Sequence, residues 1–234
     1  MPSVARRHQL SQSLLYHVYN RGNARNQIFH DKEDYLSFIN LISSYAKKHD
    51  FLIYHWVLMP NHYHLLLEIK KPERLSSIMS GLARSYVYCY HKKYQSCGHL
   101  WQGRFQSQPI QKETYLLACG RYIERNPVKA NLTTYAEDYL YSSANYYIYG
   151  KQDNLTTEDP LFSTFANEIS QRRKEYKRFV ETFDSEQESL FENLKYPRGS
   201  KEFVNKLIND KGLYLPKRRG RPKKELFHNI LIDK

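Results

Sequence analysis

An α+β fold, with a mainly antiparallel central sheet covered by helices, is what this 234-residue chain predicts. Two observations carry that reading. Runs rich in β-branched and aromatic residues alternate with segments of three- and four-residue apolar spacing, in the order strand, helix, strand, strand, helix, strand, helix. The two central strand runs are separated only by Pro60-Asn61, which suits an antiparallel hairpin and is far too short for a parallel crossover. The expected shape is a sandwich whose helices cover one face of the sheet.

Leu14 to Asn20 is apolar and aromatic until Arg21-Gly-Asn breaks it, a first strand ending in a polar loop. Asp31 is a candidate N-cap, and Tyr35, Phe38, Ile39, Ile42 and Tyr45 trace one face of a helix running to about Lys48. Phe51 to Met59 and His62 to Ile69 form the hairpin. From Glu73 to Tyr94 the helical period returns through Leu75, Ile78, Met79, Leu82, Tyr86 and Tyr90, and Gly98 ends it. Gln106 to Ile110 is a further strand, preceded by Trp101 and Phe105 as packing residues. Lys112 to Arg125 follows as a helix that must stop near Pro127, because proline disfavours helical geometry in the residue before it. Beyond Asn131 the pattern weakens. Tyr135 to Tyr149 is tyrosine-rich, Lys151 to Asp159 is loop-like, Pro160 to Asn193 holds one or two amphipathic helices, and Ser200 to Lys211 is one more short helix. The tail Pro216-Lys-Arg-Arg-Gly-Arg-Pro-Lys-Lys224 is too charged to pack.

A formal net charge of +12 points to a polyanionic partner, through phosphate neutralisation and counterion release. The chain carries 21 tyrosines, a residue able to stack on unpaired bases, although most belong in core or half-buried sheet positions. Cys89, Cys97 and Cys119 are too widely and irregularly spaced for a disulfide framework or a thiolate zinc site, which fits a reducing compartment. Met1 to Leu10 contains no apolar signal core, and no apolar stretch approaches the ~18 residues needed to span a bilayer. The expectation is a soluble, cytoplasmic protein with no membrane partner.

The chemistry is concentrated in Met59-Pro-Asn-His-Tyr-His-Leu-Leu-Leu67. Alternate residues of a strand share a face, so His62 and His64 project together and can offer two neutral nitrogens to one divalent cation. A third ligand must come from elsewhere, and Asn126 is the candidate. On a helix, residues four apart lie on one side, so Tyr122 points with Asn126 and supplies a nucleophile beside the ion. Attack by its oxygen on a phosphodiester would leave a 5′-phosphotyrosine and a free 3′-hydroxyl. Tyr115, seven residues earlier on nearly the same face, is the alternative nucleophile. Glu124 points to a different face and is not assigned as a base. His55, in the partner strand, is either a supporting group behind the ion or a plain sheet residue. Against the whole assignment stands the bland one, in which the histidines are ordinary sheet residues, Tyr122 is core and Asn126 caps its helix.

The ordered set Tyr19-Asn-Arg-Gly22, Pro60-Asn-His-Tyr-His-Leu65, Trp101-Gln-Gly-Arg-Phe105 and Tyr122-Ile-Glu-Arg-Asn-Pro-Val-Lys-Ala130 resembles the single-tyrosine HUH transposases, specifically their REP-associated tyrosine transposase branch. The resemblance covers about residues 13 to 150. It implies an HUH-nuclease sandwich that cuts and rejoins single-stranded DNA at hairpin-forming, REP-like repeats, with His62, His64 and Asn126 as metal ligands, Tyr122 as nucleophile and Mg²⁺ or Mn²⁺ as cofactor. The chain then divides into a catalytic domain at 1–150, a helical extension at 151–215 and a basic tail at 216–234. Arg6, Arg7, Arg21, Arg25 and Arg104 are candidate backbone contacts. Arg219 and Arg221 lie in an AT-hook-like segment suited to the minor groove of A·T-rich duplex, unless the tail is simply polybasic. A nucleoid-associated bacterial protein, monomeric or homodimeric, is implied. Two other readings stay open: a non-catalytic hairpin or A·T-rich DNA-binding regulator, and an HUH replication initiator. Charge and aromatic content alone do not separate DNA from RNA.

Overall fold

The computed structural model describes residues 15–192 and 197–211. Its central sheet has the order β2-β3-β1-β4, built from β1 (Leu15–Arg21), β2 (Phe51–Met59), β3 (His62–Ile69) and β4 (Gln106–Pro109), and every neighbouring pair is antiparallel. The helices are α1 (Lys32–His49), α2 (Leu75–Tyr94), α3 (Lys112–Glu124), α4 (Asn126–Lys129), α5 (Ala144–Tyr149), α6 (Ile169–Glu181), α7 (Ser185–Glu192) and α8 (Lys201–Lys211).

Local signals act where they were read. Asp31 caps α1 by accepting from the Asp34 amide, and Asp50 ends the helix in the left-handed region. Pro72 opens a 3-10 turn, so α2 begins at Leu75, two residues later than its apolar period suggests. Trp101 and Phe105 pack into the core beside Phe38, Tyr63 and Tyr86.

One expectation is corrected: helices cover both faces of the sheet, not one. Val18, Tyr63, Leu65 and Leu67 pack under α1 and α2, with Phe38, Ile42, Leu82 and Tyr86. On the opposite face Val57, Met59 and Leu66 meet Leu116, Cys119 and Ile123 of α3. The cause lies in β3 itself, where Leu65-Leu66-Leu67 is apolar at consecutive positions and therefore needs cover on both sides. A third apolar cluster joins α5 to α6 through Tyr147, Ile148, Phe162, Tyr176 and Val180.

A buried ionic cluster fixes α3 against β2. The His55 ring is fully enclosed, with Nδ1 2.9 Å from Glu124 Oε1 and Nε2 2.9 Å from Asp159 Oδ2. Glu124 also accepts from Ser143 Oγ at 2.6 Å and from Tyr176 Oη at 2.9 Å. Burial pushes the His55 pKa down, but hydrogen bonds and charge from Asp159 and Glu124 outweigh it and raise the value to about 9. Gly120 leaves room for this ring, since a Cβ there would lie 2.7 Å from His55 Cδ2 and Nε2. Residues beyond 150 therefore supply two groups, Asp159 and Tyr176, to the interior that holds α3.

Candidate active site

Antiparallel register gathers the polar side chains. Tyr19 of β1 pairs with His64 and Arg21 with His62, while His17 pairs with Leu66 of β3 and with Gln108 of β4. Paired residues share a face, so His17, Tyr19, Arg21, His62, His64, Gln106 and Gln108 all lie on the α3 side. At the Arg21 end of this face, beside the C-terminal end of α3, a cavity of about 450 Å³ opens, bounded by both histidines, Tyr122 and Asn126. Tyr19, Arg21, Arg25, Asn61, Phe191 and Glu192 also contribute to its wall.

Both imidazoles are held with one nitrogen engaged and the other available. His62 Nδ1 lies 2.6 Å from Asn61 Oδ1, which can only accept, so Nδ1 carries the proton and Nε2 keeps its lone pair. His64 Nδ1 lies 2.8 Å from His17 Nε2. The His62 and His64 ring centroids are 5.2 Å apart. Burial and the Arg21 charge lower the His62 pKa to about 4, while burial and the neighbouring rings of His17 and His62 hold His64 well below its ordinary value. His17 is lowered to about 3, chiefly by burial. All three rings are neutral at physiological pH, the form in which imidazole binds metal.

Asn126 sits at the break between α3 and α4. Proline at 127 has no N–H, so the Ile123 carbonyl loses its helical donor. The Asn126 amide replaces it: Nδ2 donates to Tyr122 O at 2.8 Å and to Ile123 O at 3.2 Å. With its nitrogen turned to those carbonyls, the side-chain oxygen is the end left for a ligand. The helix-capping role and the ligand role, alternatives in the sequence, are thus compatible in one side chain.

Tyr122 is only 7% exposed. Its ring stands edge-on to His64 and to His17, with centroids 5.8 Å away in both cases, and leans on Phe191 of α7 at 5.6 Å. The hydroxyls of Tyr86, Tyr139, Tyr147 and Tyr176 are each bonded to a protein acceptor. Tyr122 lines the cavity instead, and no protein group among the described residues hydrogen-bonds its hydroxyl. Burial, followed by nearby groups that include Glu192 and Glu188, pushes its phenol upward. Lys129 stands 5.8 Å from the ring centroid and pairs with Glu192.

That pair is one rung of a ladder between the α3–α4 segment and the segment that carries α7. Arg121 approaches Asp184 at 3.7 Å, Arg125 binds Glu188 at 2.8 Å, and Lys129 binds Glu192, with both sets spaced four residues apart.

The remaining candidates separate. Arg21 and Arg25 line the cavity. Arg104 is exposed in the loop before β4 and lies outside the cavity wall. Tyr115 is two turns back along α3, roughly 10 Å by helical rise, packed near Phe191 and away from the cavity. His55 faces α3 inside the ionic cluster and Glu124 is bound there with it, so neither reaches the cavity. Arg6, Arg7, Arg219 and Arg221 lie outside the described residues. Sequence reasoning missed His17, Gln108, Lys129 and α7 with its Phe191 and Glu192. Lys129 alone had a signal, since it follows Tyr122 by seven residues on one helical face.

No helix among the described residues is long and apolar enough to cross a membrane. No curated protein matches the chain. Among solved structures, the chain resembles a REP-associated tyrosine transposase bound to a REP hairpin, with 20% identity and a TM-score of 0.51, over 63% of this chain and 86% of that one. A candidate transposase from Deinococcus radiodurans aligns at 21% identity and a TM-score of 0.36, over 49% of this chain and 91% of its own. The likeness to the first is one of fold. The model of the family described as "Transposase IS200 like" matches residues 10–126, half of the chain, a span that ends on Asn126 and includes His62, His64 and Tyr122. The chain belongs to the IS200-like transposases, enzymes that cut and rejoin DNA.

Proposed function

We propose that this transposase is a metal-dependent single-stranded DNA endonuclease and strand-transferase of the REP-associated type, acting at hairpin-forming repeats through a covalent 5′-phosphotyrosine. The observation that carries the reading is convergence: two neutral imidazoles, a carboxamide oxygen and a phenol with no hydrogen-bond partner among the described residues border one cavity. Two imidazole nitrogens and one neutral oxygen would hold a first-row divalent ion such as Mn²⁺ more readily than the oxygen-preferring Mg²⁺, with positions left for phosphate and water. When bound, such an ion neutralises charge growing on the phosphate oxygens.

The chain's own groups do the rest. Tyr122 Oη attacks phosphorus, the bond from phosphorus to the 3′ oxygen breaks, and that oxygen takes up a proton while the phenol gives one up. The phosphotyrosine keeps a high-energy linkage, so a second 3′-hydroxyl can reverse the step and join a new end. Lys129 stands beside the ring paired with Glu192, whose charge adds to burial in holding the phenol protonated until substrate and ion arrive. Arg21 and Arg25 flank His62 and meet the incoming backbone. Arg104, Arg6 and Arg7 would extend that contact, and Arg219 with Arg221 would hold A·T-rich duplex.

The test is incubation of the full chain with single-stranded hairpin oligonucleotides and Mn²⁺, followed by mass spectrometry of the adduct. Wild type and Tyr115→Phe should carry a nucleotide on Tyr122, and Tyr122→Phe should carry none. An adduct that persists in Tyr122→Phe, or an unmodified wild type across a broad hairpin library, refutes the proposal.

A further inference from the structure

The His17 ring is wholly enclosed in the middle of β1, and nothing in the chemistry above uses it. A buried polar ring in an apolar layer is unfavourable unless its nitrogens are bonded. One nitrogen is engaged specifically: Nε2 meets His64 Nδ1 at 2.8 Å and the two rings stack with centroids 5.0 Å apart, with Gln108 of β4 the register partner of His17.

Two neutral imidazoles joined nitrogen to nitrogen share a single proton, so one must donate and the other accept. For His64 to offer Nε2 to a cation, its own proton must sit on Nδ1. His17 Nε2 is then the acceptor, and the His17 proton must sit on Nδ1. The bond then runs one way: His64 donates and His17 accepts.

We propose that His17 is the positioning residue of the cation site, holding His64 in the tautomer and orientation that turn Nε2 toward the cavity. This rests on His64 being a ligand. Without the acceptor, the His64 Nδ1–H would be buried and unbonded, and the ring would shift its proton to Nε2, the nitrogen the ion requires. Loss of a group that orients a metal-binding histidine typically weakens metal affinity by ~10- to 100-fold.

The experiment is a calorimetric Mn²⁺ titration of the full chain without DNA, for wild type, His17→Leu and His17→Gln, combined with ¹⁵N NMR of the His64 ring nitrogens. Leucine removes the acceptor, whereas glutamine can place a carboxamide oxygen near the position of Nε2. His17→Leu should bind Mn²⁺ ~10- to 100-fold more weakly and show His64 shifted toward the Nε2–H tautomer, and His17→Gln should recover most of both. Wild-type affinity in His17→Leu, or no recovery in His17→Gln, overturns the proposal. Should the leucine variant fail to fold, the wild-type spectrum decides, because His64 found as the Nε2–H tautomer also overturns it. A wild type that binds no Mn²⁺ removes the cation reading itself, whereas wild-type binding beside an indifferent His17→Leu removes only the role given to His17.

Discussion

Neutralising His55 should destabilise the protein in a way that vanishes at high pH. The ring is fully buried between Glu124 and Asp159, and its pKa rises from 6.5 to about 9 on folding. A raised pKa means the folded state binds the proton more tightly, so the contribution is complete below pH 6.5 and disappears as pH climbs through 9. At about 1.4 kcal/mol per unit, this amounts to about 3 kcal/mol. His55→Gln preserves a hydrogen-bonding side chain of similar size but cannot carry charge. Urea unfolding of both proteins at pH 6 and pH 9.5 should give a stability gap about 3 kcal/mol wider at the lower pH. Comparing variant with wild type cancels the opposing effect of His17 and His62, whose lowered pKa values make stability fall as pH drops below 6.5. A gap that stays the same at both pH values would show that His55 is neutral in the folded protein, and the ionic account of this cluster would fail.

Three further outcomes are expected. Gly120→Ala should lower the melting temperature, because its Cβ would stand 2.7 Å from a ring pinned at both nitrogens; overpacking of about 1–3 kcal/mol outweighs up to about 1 kcal/mol gained in helix propensity, and an unchanged melting temperature would mean the ring can move aside. Asn126→Asp should destabilise the metal-free protein by about 1–3 kcal/mol in thermal unfolding, since a carboxylate cannot donate to the Tyr122 and Ile123 carbonyls; equal stability would show that those carbonyls do not need the amide. Replacing Arg21 and Arg25 together by alanine should reduce the slope of log affinity against log salt for a hairpin with a single-stranded flank by about 1–2, read by fluorescence anisotropy. An unaltered slope would place the phosphate contacts elsewhere.

The readability of this chain follows the sequence distance over which each feature is determined. The hairpin holding His62 and His64 was evident because Pro60-Asn61 joins strands whose side chains simply alternate, and the pairing of Tyr122 with Asn126 needs only one helical turn. Tyr115 and Tyr122 could not be ranked by spacing, since seven residues return to nearly the same face; what separates them is where the helix ends relative to the cavity. His17 stayed hidden because its partner is 47 residues away, and only the register of β1 on β3 brings the rings together. The same holds for His55, whose second carboxylate comes from a loop 104 residues later. The helical cover of both faces was present in three consecutive leucines, but that pattern also describes a strand buried by other means.

The pleat of β3 assigns its residues by turns to two tasks. His62 and His64 face the cavity while Tyr63, Leu65 and Leu67 face the core under α1 and α2. A slip of one residue against β1 would exchange these sets, burying imidazoles in the apolar layer and presenting leucines to the cavity. Chemistry and folding therefore share one reading frame: no insertion or deletion within this strand can alter the first while sparing the second, and adaptation here is confined to substitutions or to the loops beyond its ends.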